Sequence, residues 1–161
     1  MPHYTSDEWM NGEQSLGGET ALVRKNASLS NVRRLNYPYE LIVHLVYEEM
    51  QDEGLPGSQE ELELLDRNEE VIANHFCEQF DAKFALCVTS NGVRDQFLYL
   101  PRHLREDEIA IELESLSLSV DYDFGIRRSP DWGIYSNALT EPESQARSSR
   151  VPWWKKLFGS Q

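Results

Sequence analysis

Residues capable of chemistry are plentiful in this chain, but few of them share a spacing that chemistry uses. His3, His44, His75 and His103 form no His-x-x-x-His pair, and Cys77 and Cys87 form no Cys-x-x-Cys. Zinc is held by such pairs because two ligands must reach one tetrahedral centre from a single turn, so no metal site is predicted. Asp121-Tyr122-Asp123-Phe124-Gly125 has the residue types of a calcium loop. Its glycine falls one place early, however, and Trp132 stands at the twelfth position, where a bidentate glutamate belongs. No cofactor is expected either, since neither Gly-x-x-x-x-Gly-Lys-Ser/Thr nor Gly-x-Gly-x-x-Gly occurs, and Gly17-Gly18 is not followed by an obvious helix.

Nucleophilic catalysis has one candidate pairing. No Gly-x-Ser-x-Gly elbow is present, which leaves Cys87 with His44, read as sharing one face of a sheet, with Tyr99 on the same uncovered face. A small-molecule enzyme or sensor would be built there. A strand cysteine is ordinarily inert packing and a lone strand histidine a satisfied core residue, so the expectation is a non-enzymatic domain with no catalytic residue. Glu48-Glu49 and Glu60-Glu61 read as solvated surface, the second pair also suiting a helix N-terminus.

These side chains must be positioned by a modest set of elements. Ala21 to Ser28 reads as a first strand. Tyr39 to Met50 places Leu41, Val43, Leu45 and Tyr47 on one face and Ile42, His44 and Val46 on the other, the pattern of a central strand covered on both sides. Asp52-Glu53-Gly54-Leu55-Pro56-Gly57 breaks it. Ser58 with Glu61 three positions later forms a capping box, predicting a long helix to about Phe80, with Leu62, Leu65, Ile72, Phe76 and Phe80 in one apolar stripe. Phe84 to Thr89 and Arg94 to Leu100 flank Ser90-Asn91-Gly92 as a hairpin, because Asn-Gly tolerates the positive backbone angles of a tight turn. Residues 103–116 read as a helix and Leu118 to Ile126 as a strand.

From Tyr39 the order is strand, helix, strand, strand, helix, strand. This predicts an α+β fold, a ferredoxin-like split βαβ sandwich with an antiparallel sheet, two helices on one face and an extra N-terminal strand. The expected organisation is an N-terminal appendage over residues 1–19, the α+β domain over 20–139, a flexible linker over 140–151, and an aromatic, basic tail over 152–161.

The tail is the most distinctive local feature. Pro152-Trp153-Trp154-Lys155-Lys156-Leu157-Phe158 follows a Ser-, Pro- and Gln-bearing stretch and holds two of the four tryptophans. As a helix it would stack Trp153 over Leu157 and Trp154 over Phe158, with Lys155 and Lys156 flanking that surface. Three readings stay open: the tail folds back onto an apolar groove of its own body, it docks into a protein partner through aromatic anchors, or it lies at a membrane interface.

Composition bounds these choices. The chain has 161 residues, 28 acidic against 15 basic groups and a net charge of -13, with 40% hydrophobic and 27% charged residues. It is rich enough in apolar residues to fold. Residues 1–142 carry net -16 and residues 143–161 net +3. Nucleic acid is not an expected partner of so acidic a body, because affinity for phosphate backbones comes from basic groups displacing counterions. With no long apolar run and no signal-like start, a soluble, cytoplasmic protein is expected.

One further set of residues runs along the chain in order: Trp9, Asn26, Asp52-Glu53-Gly54-Leu55-Pro56, Thr89 with Gly92 and Arg94, Tyr99-Leu100-Pro101, and Asp131-Trp132 with Tyr135. Together they resemble a bacterial family catalogued as domain of unknown function 695, over roughly residues 5–142. The resemblance implies an α+β domain and supplies no catalytic residue. Some members accompany a domain similar to regulator of ribonuclease E activity B, an acidic protein that works by binding an enzyme. By their types, Gly54, Pro56 and Gly92 fit turns, while Trp132 and Tyr135 fit a lid on the core. This chain shows no such second domain in its sequence; from the missing chemical motifs and the aromatic tail behind its linker, the expected function is a protein-binding or regulatory module with an unidentified protein partner, and Trp153, Trp154, Lys155, Lys156, Leu157 and Phe158 as its contact element.

Overall fold

A computed structural model describes residues 7–16, 19–52 and 54–139. Among them lies one six-stranded antiparallel sheet: β1 (Trp9–Leu16), β2 (Glu19–Asn26), β3 (Tyr39–Val46), β4 (Lys83–Ser90), β5 (Val93–Leu100) and β6 (Tyr122–Arg128). Three helices accompany it: α1 (Gln59–Phe80), α2 (Glu106–Ser115) and the short α3 (Gly133–Asn137). The strands lie side by side in the order β1-β2-β4-β5-β3-β6, every neighbouring pair antiparallel. The fold is α+β, with a sheet two strands wider than a four-stranded split βαβ unit.

Local chemistry sets the main boundaries. Ser58 caps α1, its hydroxyl accepting the Glu61 N–H at 3.1 Å. The return half of the expected box is redirected, because the Glu61 carboxylate accepts the N–H of Glu48 at 3.2 Å and so ties the helix start to the end of β3. At the far end Asp81 adopts φ 54°, the left-handed conformation that stops a helix. Asn91 and Gly92, with φ of 44° and 88°, make the tight turn between β4 and β5. Gly54 (φ 87°) also lies in the left-handed region, where its carbonyl accepts the Tyr47 hydroxyl at 2.6 Å and the Gly92 N–H at 3.3 Å. The loop after β3 is thus fastened to the hairpin turn.

Both faces of the sheet carry a core. On one, Leu41, Val43, Leu45, Leu98 and Leu100 meet Leu65, Ile72 and Phe76 of α1 and Ile109 and Leu113 of α2. On the other, Ala21, Val23, Ala85, Leu86, Phe97 and Tyr99 are covered by Leu29 and by the C-terminal Trp132, Tyr135, Ala138 and Leu139. Burying the apolar surface of such side chains stabilises the fold by about 1.5–3 kcal/mol each. No helix among the described residues is long and apolar enough to cross a membrane.

Two expectations need correction here. The sequence assigns residues 1–19 to an appendage, yet Trp9–Leu16 is a full edge strand paired residue by residue with β2. Its Met-Asn-Gly-Glu-Gln run shows no apolar alternation because an edge strand needs only one anchoring contact. Trp9 supplies it, 5.0 Å from the Phe84 ring. The second correction concerns β4. A register shift between Phe84 and Leu86 puts Ala85 and Leu86 in the same cluster while returning Cys87, like Phe84, to the helix side. A bulge adds one residue to a strand and inverts the alternation beyond it. The expected linker 140–151 and tail 152–161 lie outside the described residues.

Candidate functional site

The helix-covered face encloses a polar cluster that the sequence reading missed. Glu69 of α1 is buried and accepts from Arg24 of β2, from Arg94 of β5 at 3.3 Å and from the Cys87 thiol at 3.1 Å. Arg94 also donates to Thr89 Oγ1 at 2.9 Å and to Asp66 at 2.7 Å, and Gln96 Nε2 donates to the Glu69 carbonyl at 2.9 Å. The signal was available: Glu69 sits four places beyond Leu65 and three before Ile72, on the apolar stripe itself. A carboxylate at that position requires buried cations.

This cluster is built to hold charge still. Burial pushes the Cys87 thiol up to about 12, with the Glu69 carboxylate adding to the shift, while burial raises Cys77 to about 11. A nucleophilic cysteine requires a depressed pKa and access to substrate, and Cys87 has neither. The expected pairing of Cys87 with His44 does not form. Cys87 faces α1, whereas His44 lies on the opposite face, paired with Asp95.

Tyr99 occupies the same side of the sheet as His44 but is fully buried. Trp132 stacks on it at 4.2 Å and 10°, and its hydroxyl donates to the buried Glu40 at 2.8 Å. Arg127 donates to the other Glu40 oxygen at 2.7 Å. Burial, then the neighbouring Glu40 carboxylate, raises the Tyr99 pKa well above its ordinary value. The Trp132 indole N–H reaches the Tyr37 carbonyl at 2.8 Å, and Tyr135 donates to the Asn26 carbonyl at 2.8 Å. Trp132 and Tyr135 are thus a lid, and Asn26, Glu40 and Tyr99 are parts of what it closes. Of the three residues expected on an open face, only His44 is there.

That lid stops halfway across the sheet. Val88, Asp95, His44 and Asp123 form one cross-strand row over β4, β5, β3 and β6, and Ser90, Val93 and Val46 part of the next. The side chains of His44 and Asp95 are 37% and 33% exposed, and Val46 is 38% exposed. Above Gly125 on β6 a Cβ would meet nothing within 4 Å. Next to this row, where α3 lies over β2 and β4, Val23, Leu86, Val88, Ile134, Ala138 and Gln14 line a mainly apolar groove of about 250 Å³. A separate cleft of about 440 Å³ opens on the helix side, between Glu61 and Leu64 of α1 and the Leu118–Asp121 loop, with Glu48 and Glu49 at its edge. No group of three or more metal-ligating side chains occurs among the described residues. Trp153, Trp154, Lys155, Lys156, Leu157 and Phe158 lie outside the described residues.

Fold and surface together define an antiparallel α+β domain, closed on one face by two helices and half closed on the other by an aromatic lid. Residues 7–140 match the model of the Family of unknown function (DUF695), and the chain belongs to that family. No curated protein and no solved structure matches it. The residues on which the resemblance was read fall into structural places: Asn26, Thr89, Arg94, Tyr99 and Trp132 in buried hydrogen bonds or stacks, Gly54 and Gly92 in fastened turns.

Proposed function

We propose that this chain is a non-enzymatic protein-binding or regulatory module of the cytoplasm, working through the open half of its sheet, with residues 153–158 as a second contact element. One observation carries the reading. Along the single strand β3, Leu41, Val43 and Leu45 are wholly buried, while His44 and Val46 on the reverse side stay more than a third exposed, on the same face as an apolar groove two strands away. Apolar surface left open next to a rim of charge is the anatomy of a recognition patch.

A catalytic reading draws less support. The thiol it would use is held protonated beneath α1, and the tyrosine it would use is stacked under Trp132. The run β3-α1-β4-β5-α2-β6, with its strands ordered β4-β5-β3-β6, supports a ferredoxin-like core widened by β1 and β2.

Affinity capture with the full chain, compared with full-length Ile134→Glu and Trp153→Ala/Trp154→Ala variants, tests the proposal. Ile134 is 36% exposed, so the charge is tolerated by the fold while it spoils the groove. Partners retained by the parent and lost from the Ile134 variant are the expected result. Identical partner sets from all three chains would remove both surfaces from the mechanism.

A further inference from the structure

We infer that β6 pairs antiparallel with β6 of a second copy of this chain about a twofold axis at Gly125, so that two sheets join edge to edge. The inference uses the rim of the sheet rather than its open face and stands apart from the binding-module reading.

The backbone shows which groups are available. The Val46 N–H donates to the Asp121 carbonyl at 2.9 Å and the Ser129 N–H to the Pro38 carbonyl at 2.7 Å, with an unbroken register between them. In an antiparallel ladder bonded and non-bonded pairs alternate, so Asp121, Asp123, Gly125, Arg127 and Ser129 turn their main-chain groups toward β3. Tyr122, Phe124, Ile126 and Arg128 turn theirs away. Among the described residues β6 is the last strand of the sheet, with β3 as its one neighbour. The outward Phe124 N–H meets only the carboxylate of Asp123 beside it, at 2.8 Å. A row of outward amides is a template for another strand.

The sequence of β6 says which strand fits. Tyr-Asp-Phe-Gly-Ile-Arg-Arg, turned end for end about Gly125, sets Asp123 opposite Arg127 of the copy, Phe124 opposite Ile126 and Tyr122 opposite Arg128. Tyr122, Phe124, Ile126 and Arg128 then form the bonded pairs, so this register engages every outward group. Phe124 and Ile126 are half-buried against the helix-side core, and pairing covers their remaining surface. On the reverse side Arg127 directs one N–H at Glu40 and keeps a side chain 55% exposed, which leaves donors for Asp123 of the copy. Asp123 yields the Phe124 amide to the Ile126 carbonyl of the copy as it gains that cation. Opposite charges directly across a strand pair stabilise it and like charges oppose it. Sliding by two residues either way puts Asp123 opposite Gly125 or Ser129, where it has no cation. The other edge, β1, has Glu13 as its one charge, so β1 cannot match opposite signs with a copy of itself.

At the axis two glycines meet, in a non-bonded pair whose Cα atoms lie about 4.5 Å apart. That contact gives the test. In the full chain with Cys77→Ala, Gly125→Cys puts two thiols at the axis, within the Cα separation of about 4.4–6.8 Å that a disulfide spans. Cys87 is buried and stays in place. A Cβ at Gly125 meets nothing within 4 Å, so the fold accepts the change. The control, Asp121→Cys, lies about 26 Å from its equivalent in the same register. Under mild oxidation the Gly125 variant should form the disulfide-linked pair and the control should not.

The unmodified chain should sediment at twice 18.7 kDa when concentrated and at 18.7 kDa on dilution. Asp123→Arg, which faces Arg127 of the copy with a like charge, should raise the concentration of that transition by about tenfold or more. Amide exchange needs no substitution: Phe124 and Ile126 should be protected in the pair and lose that protection on dilution, while Asp123 and Gly125, bonded to β3, keep theirs. A chain that stays at 18.7 kDa at millimolar concentration overturns the inference. Equal cross-linking at Gly125 and Asp121, an Asp123→Arg chain that associates as the parent does, or a pair whose Phe124 and Ile126 amides exchange rapidly would overturn it as well. So would a ladder of larger species, which means head-to-tail pairing of β6 with β1.

Discussion

The two faces of one sheet solve opposite problems. The helix-covered face buries a carboxylate, the Arg94 guanidinium and a thiol in contact through Glu69, with the partly exposed Arg24 completing the cluster, and leaves no apolar side chain of β3 exposed. The reverse face does the same at its covered end with Glu40, Tyr99, Arg127 and Trp132, then stops, leaving His44, Val46 and Asp95 in contact with solvent. Placing charge inside is tolerable only where every charge is matched, and such residues are then occupied by the fold itself. Residues free for recognition are those the fold does not need. A strand can therefore be scaffold along one face and turn to surface partway along the other, as β3 does between the buried Glu40 and the exposed Val46.

This contrast is sharpest in the cost of deletion. Glu69→Ala takes away the buried carboxylate that Arg94, Arg24 and Cys87 share, leaving Arg94 in the interior with only the more exposed Asp66 as its anionic partner, and should lower stability by about 3–5 kcal/mol in a denaturant titration. Trp132→Ala removes the stacked lid from Tyr99 and should cost a similar amount, about 3–5 kcal/mol, with loss of near-ultraviolet circular dichroism. By comparison His44→Ala, which breaks the half-exposed contact with Asp95, should cost no more than about 1 kcal/mol. Equal losses at Glu69 and His44 would erase the distinction between the faces.

A smaller effect separates them by pH. A thiol raised from 9.0 to about 12 in the folded state keeps its proton there, while the unfolded chain gives its proton up from about pH 9. Stability contributed by the protonated Cys87 is therefore complete below pH 9 and declines as pH rises toward 12. The Cys87→Ala chain should show a shallower alkaline decline in midpoint temperature. The parent thiol should react slowly with disulfide reagents at pH 8 until the protein unfolds. Rapid labelling of Cys87 in the folded chain would mean that the helix-side cluster opens.

Much of this arrangement was legible in the residues. Ser58, the stripe through Leu65, Ile72 and Phe76, and Asn91-Gly92 predict α1 and the β4–β5 turn because each is a local signal with a local cause. Trp132 and Tyr135 read as a lid and are one. What escaped depends on contacts between distant positions. The bulge at Phe84 to Leu86 sent Cys87 to the face opposite the one that alternation assigns, which dissolved the His44–Cys87–Tyr99 grouping. Strand β1 escaped because its partner, rather than its own pattern, makes it a strand. The groove escaped because α3, four residues beyond β6, swings over β2 and β4, a distance in sequence that no periodicity reports.

The central claim, that recognition belongs to the open half of the sheet and structure to the helix side, has a direct test. A photo-reactive amino acid is placed in the full chain at Val46 or Ile134 on the open side, and at Val71 or Ile111, exposed apolar positions on the helices, at 42% and 64% exposure. The account predicts adducts to a partner from Val46 and Ile134, and none from Val71 and Ile111. Adducts confined to the two helix positions would contradict it.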